Sequence, residues 1–192
     1  MLFFERGGDY TNFRLAMERF TKLSGSPGLS GFGLALIAGV LCAQSAGTAA
    51  AGGVQITVPA GWHWNQRIAQ AGGPLSLTTF EHWDSGGIPP AGGAEIDITR
   101  VPAPRNLQDY IARETTGAEQ SEPPVESAVQ KNPAMEVSFT DSYGQLRLST
   151  RALYILHGAR LYKLYLTYHT GDAHSADFTS VFHGLAQQAK FE

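Results

Sequence analysis

The chain has 192 residues, 43% of them apolar, which is enough for one ordinary core or for one domain with an appendage. A formal charge of −3 without any basic stripe argues against nucleic acid as a partner. Only one cysteine is present, Cys42, and it falls in an N-terminal stretch that reads as removable; thiol catalysis and cysteine-type metal sites are therefore excluded from a processed chain.

Residues 1–51 read as an N-terminal extension plus an export signal. The run GFGLALIAGVLCA, 31–43, is apolar and uncharged; Arg19 and Lys22 precede it and the small residues SAGTAAAGG follow it. A positive flank, a short apolar centre and a small-residue exit make the pattern of a secretory signal. The centre is shorter than the roughly 20 residues that a membrane span needs. Met17 would begin a more ordinary signal than Met1, because 1–16 is long and acidic for a leader. Cleavage after Ser45, Gly47, Ala50 or Ala51 fits the small-residue pattern. Leu41 stands where a lipoprotein signal wants a small residue, so an uncleaved signal is the expected route to a membrane.

A single domain is expected over 52–192. It opens with VQITVPAGW: Ile56 and Val58 alternate as a strand, Pro59 stops it, and Trp62 plugs the edge of a core. PLSLTTFEHW, 74–83, is a second strand, and AEIDITRV, 94–101, a third, with Ile96 and Ile98 on one side and Glu95, Asp97 and Thr99 on the other. Asn106 caps a short helix over 106–115 whose buried side is Leu107, Tyr110 and Ile111. Two more strands are expected at 125–131 and 134–142, around Asn132-Pro133.

The last third is a long hairpin and a helix. Even positions carry Leu146, Leu148, Ala152 and Tyr154, then Tyr162, Leu164 and Leu166; odd positions carry Arg147, Ser149 and Arg151, then Lys163, Tyr165 and His169. An odd loop, His157-Gly158-Ala159, would keep the even set on one face and put Arg151 across from Tyr165; a two-residue loop would place Lys163 opposite Tyr154 and Leu166 opposite Arg151. The odd loop is expected for that reason. Ser175 and Asp177 open a helix with the stripe Phe178, Val181, Phe182, Leu185 and Ala189, interrupted by Gly184, whose cost a tight contact with the sheet would offset.

Strands, one helix, antiparallel strands and a closing helix make an α+β fold in which helices cover a central antiparallel sheet. Ile56-x-Val58-Pro59-x-Gly61-Trp62, then a strand followed by Leu107-x-x-Tyr110-Ile111, the terminal hairpin, and Phe178-x-x-Val181-Phe182-x-x-Leu185 ending at Phe191 together resemble the Mog1/PsbP-like superfamily. The resemblance covers about 54–191. It implies an α/β/α sandwich and a role as a binding or assembly module, and carries over no catalytic residue.

Candidate sites are weighed residue by residue. Arg147, Arg151, Lys163 and Tyr165 would form a cationic-aromatic interface on the hairpin's odd face, arginine and tyrosine being interface anchors. The alternative is a face covered by the 106–115 helix and paired with Glu114 or Asp109. Trp62, His63, His82 and Trp83 would line a ligand groove if their strands pair, or else fill the core edge. His169, Asp172, His174 and Asp177 offer two imidazoles and two carboxylates to zinc or copper. Strand ends, turns and helix starts also attract these residues for capping alone, and no cofactor is expected. No nucleophile motif, phosphate loop or His-Glu-x-x-His is present. The expectation is a periplasmic or secreted, non-catalytic module that binds another envelope protein, with a small-ligand or metal binder as the alternative and an unrecognised hydrolase third.

Overall fold

The computed structural model describes residues 47–80, 88–120 and 122–192. The leader 1–46, with Met17 and Cys42, lies outside them. Four strands and a short helix come first: β1 (Thr48–Ala51), β2 (Val54–Thr57), β3 (His63–Trp64), α1 (Gln66–Gln70) and β4 (Leu75–Thr78). Then come β5 (Ala94–Pro102), α2 (Leu107–Glu114), β6 (Glu119–Gln120), β7 (Val125–Val129), β8 (Asn132–Tyr143), β9 (Leu146–His157) and β10 (Arg160–His169). The chain closes with α3 (Ser175–Gln188) and β11 (Lys190–Phe191).

The main sheet has eight strands in the order β3-β4-β5-β10-β9-β8-β6, with β7 also paired to β8; every pairing is antiparallel. A three-stranded sheet, β1-β2-β11, lies beside it in the fold. This is the α+β arrangement expected, with helices on both faces of a central antiparallel sheet. α3 covers one face: Phe178, Phe182 and Leu185 pack with Leu77, Ile96, Leu164 and Leu166 from the sheet and with Ala49, Val54 and Ile56 from β1 and β2. Trp62 meets Phe178 edge-on at 6.3 Å, as the plug at the core edge. α2 covers the other face, through contacts described below.

Several expectations are corrected. The β9–β10 loop has two residues, Gly158-Ala159, so Lys163 stands opposite Tyr154 and Leu166 opposite Arg151. Gly158 takes φ +58 at the first loop position, the glycine place of a II′ turn, whose twist suits a two-residue hairpin. The parity argument assumed one buried face. Here both are buried: even positions of β10 face α3, while even positions of β9 face α2. The turn between β7 and β8 is Gln130-Lys131, both at positive φ, and Pro133 lies within β8. The Gln130 side chain donates to the carbonyls of Ala186, Gln187 and Ala189, closing the end of α3. A Cβ at Gly184 would meet nothing within 4 Å, so no close contact requires that glycine.

The folded unit also begins earlier than residue 52. Thr48–Ala51, read as the exit of the signal, is a strand of the small sheet, and Ala49 is wholly buried. A run of small residues suits both purposes, and only its partners distinguish them.

Candidate functional site

The four residues of the expected hairpin interface do not share a surface. Lys163 and Tyr165 lie on the α2 face, whereas Arg147 and Arg151 lie on the α3 face, because the two-residue loop shifts one strand against the other. The alternative reading, in which α2 covers the hairpin and pairs through Glu114, describes the α2 side.

There Lys163 Nζ donates to Glu114 Oε1 at 2.6 Å, with both side chains less than a tenth exposed (5% and 8%), which makes this a buried ion pair. The Tyr110 hydroxyl donates to the same oxygen at 2.9 Å, and the Tyr165 hydroxyl to Oε2 at 2.8 Å. Tyr154 stacks edge-on against both tyrosine rings, at 6.4 and 6.1 Å. Burial alone would lower the Lys163 pKa; the hydrogen bond and charge of Glu114 outweigh it and the net direction is up. Burial, then the neighbouring Tyr154 and Glu114, push the Tyr165 phenol well above its usual value. Lys163, Tyr110 and Tyr165 all donate to Glu114, so this cluster orients α2 on the sheet.

A second polar cluster adjoins it on the same face along β5, where Asp97 stands opposite Tyr165 and Thr99 opposite Lys163. Glu95 and Asp97 project side by side, and the Ser76 hydroxyl donates to Glu95 at 3.0 Å. Among the described residues neither carboxyl has an ion-pair partner, and Asp97 Oδ1 and Thr99 Oγ1 are buried without a hydrogen bond. Burial first, then the charge of Asp97, raises the Glu95 pKa to about 8 against the opposing Ser76 bond; burial raises Asp97 to about 6. The pair therefore keeps a proton near neutrality, on Glu95. No sequence signal marked it, since Glu95, Asp97 and Thr99 alternate with Ile96 and Ile98 just as a solvated face would.

The turn after β10 does not gather its four candidates. His169 Nε2 donates to the Pro89 carbonyl at 2.6 Å. Asp172 accepts the backbone N–H of His174 and of Gly92, both at 2.8 Å, and these bonds, His174 first, hold its carboxyl below the usual range. His174 and Asp177 stand 3.7 Å apart at the exposed start of α3. Among the described residues no group of three or more His, Cys, Asp or Glu is placed to hold a metal ion. The side chains are used as turn and loop fasteners. Of the tryptophan–histidine set, Trp62 is in the core and His63 is half-buried opposite Thr78; His82 and Trp83 lie outside the described residues.

The arginines mark the part of the α3 face that turns polar, exposed at Arg147 and Ser142 and still buried at Thr140 and Tyr168. Along β9 the residues facing α3 run Ile155, Leu153, Arg151, Ser149, Arg147, passing from buried apolar to exposed polar. Their neighbours on β8 are Ser138, Thr140 and Ser142, and on β10 Tyr168. Arg151 Nη1 pairs with Glu136 at 2.8 Å, Glu136 also accepts from His183 Nε2 of α3 at 3.0 Å, and Glu122 stands 4.0 Å from Arg151. Arg147 pairs with Glu119 at 2.9 Å, and Ser149 with Thr170 at 2.9 Å. Sequence reasoning found the two arginines but missed Glu136 and His183, which lie far from them in the chain. Among the described residues no helix is long and apolar enough to cross a membrane.

No family model matches the chain, and no curated protein matches it. Solved structures are similar in fold. LpqN of Mycobacterium tuberculosis, described as involved in cell envelope biogenesis, has a TM-score of 0.46 and 10% identity, over 71% of this chain and 82% of LpqN. The PsbP protein of Synechocystis sp. PCC 6803 (CyanoP) has 0.45 and 12%, over 88% and 99%. The Saccharomyces cerevisiae Ran-binding protein Mog1p has 0.47 and 9%, over 77% and 96%. With scores below one half, none of these likenesses carries an argument about partner or activity.

Proposed function

We propose that this protein is an exported, non-catalytic module that binds another envelope protein through the open β8–β9 face around Arg147, Ser149 and Arg151. One observation carries the reading: the face of the sheet that α3 covers continues past the helix as a polar surface bearing two arginines, each already held by a carboxylate. A side chain fixed before binding loses less rotamer freedom on binding, and arginine is enriched among interface anchors. The apolar signal-like run at 31–43 supports export, and the resemblance of the sequence to the Mog1/PsbP-like superfamily supports a binding role.

The test is site-specific photo-crosslinking in cells. A photoreactive residue at Ser142, exposed on the open face, should capture a partner; one at Ala112, exposed on α2, should not. Arg147→Glu should weaken the Ser142 capture at least several-fold without lowering thermal stability appreciably, since its partner Glu119 and it are both more than half exposed (68% and 52%) and such pairs contribute about 0–1 kcal/mol. Equal capture from both positions, or none from Ser142, would reject this face.

A further inference from the structure

The stretch AQSAGTAAAGG, 43–53, offers an export protease several bonds at which small residues stand one and three positions before the cut. Cuts at most of them would delete residues that the fold uses. Thr48, Ala49, Ala50 and Ala51 form β1, paired in register with Thr57, Ile56, Gln55 and Val54 of β2. Ala49 is 0% exposed and Ala51 packs against the core. Gly52 and Gly53, at φ +59 and +76, make the two-residue turn between these strands, and a Cβ at Gly53 would run into the Arg100 guanidinium.

A cut after Ala50 or Ala51 would delete β1, leave the N–H and C=O groups along one edge of β2 unpaired, and open a gap beside Val54 and Ile56. A cut after Gly47 would remove the carbonyl that accepts the Val58 N–H at 2.8 Å. Upstream of Gly47, a cut after Ala46 would put the long polar Gln44 three positions before the bond. A cut after Ser45 puts Ala43 there, with Ser45 itself adjacent.

From this we infer that export processing hydrolyses the Ser45–Ala46 peptide bond, leaving a carboxylate on Ser45 and a free amine on Ala46, the first residue of the mature protein. The inference rests on the export reading above and fixes where the functional chain begins. The described residues from Gly47 to Phe191 belong to the fold, so the alanine run serves as a strand and not as a spacer.

The experiment uses the full chain with a C-terminal tag, expressed in a bacterial host. The protein is recovered separately from envelope and cytoplasm, and its first residue is read by mass spectrometry. An envelope protein beginning at Ala46 is expected. Ser45→Leu should leave at least ten times more uncut precursor than the parent, while Ala50→Leu, at an exposed position of β1, should be processed as the parent is. An envelope protein beginning at Thr48, Ala51 or Gly52 would overturn the site while leaving export intact. Uncut chain confined to the cytoplasm would overturn the export reading itself, and uncut chain in the envelope would overturn processing alone.

Discussion

Under α3 the main sheet is packed by aliphatic and aromatic side chains alone, whereas under α2 buried apolar residues such as Ile111, Val137, Phe139, Ala152 and Leu161 share the layer with a buried ion pair, three tyrosines and two enclosed acids of raised pKa. The first layer is held by removal of apolar area from water, which is not directional and tolerates changes of shape. The second depends on partners meeting at hydrogen-bond distance. Each buried charge there would be costly alone, and it fixes orientation more than it adds stability. Both faces of the sheet therefore bury apolar side chains, and the α2 face adds a polar cluster that sets how α2 sits. Where α3 ends, the first face gives way to the open arginine surface, so the reach of the apolar layer defines the candidate site.

The largest effect should come from the apolar layer. Phe182→Ala empties a fully buried site and should cost about 3–5 kcal/mol in urea unfolding. A loss under 1 kcal/mol would mean that α3 is not the main source of burial. The polar layer should respond differently. Lys163→Met leaves Glu114 buried with only its tyrosine donors and should cost about 3 kcal/mol, yet adding Glu114→Leu should restore most of that loss. A double variant as unstable as the summed single changes would show that the two residues act independently.

Titration sharpens the contrast further. In the folded chain Glu95 and Asp97 keep their protons to about pH 8 and about pH 6, while in the unfolded chain they release them near 4.5 and 3.8. The unfolded state thus binds fewer protons between those limits, and stability falls as pH rises. Their contribution is fully present below about pH 4 and is lost as pH climbs to about 8. Melting temperatures should be lower at pH 8 than at pH 5, and Glu95→Gln should flatten that slope. An unchanged slope in the variant would assign the dependence to other groups. The smallest effect belongs to α3 again. Gly184→Ala should stabilise by about 0.5–1 kcal/mol, because the new methyl meets open space and helix propensity rises. Destabilisation would reveal a contact that the rigid fold hides.

Much of the architecture was legible because it rests on local period. The alternation of Leu164 and Leu166, the 3.6-residue stripe Phe178, Phe182, Leu185 and the Asn106 cap, which accepts from Asp109 N–H at 3.2 Å, each follow from a few adjacent residues. The hairpin register was not legible. Period-2 alternation fixes register only where one face is wet, and Leu153 and Ile155 on the odd positions of β9 were the sign that both faces were covered. The candidate interface is absent for the same reason: Lys163 is the buried half of an ion pair and not a surface cation.

The sequence by itself determined which segments become strands and helices, that helices cover an antiparallel sheet, and that Trp62 closes a core edge, because propensity, capping and hydrophobic period act over a few residues. Tertiary structure alone decided which face each strand shows, that Glu114 reaches Lys163 and Glu136 reaches both Arg151 and His183, that Glu95 and Asp97 are enclosed, and that the alanines at 49–51 are strand. Those outcomes depend on groups far apart in the chain meeting across a sheet, where a shift of one residue turns every side chain to the other face.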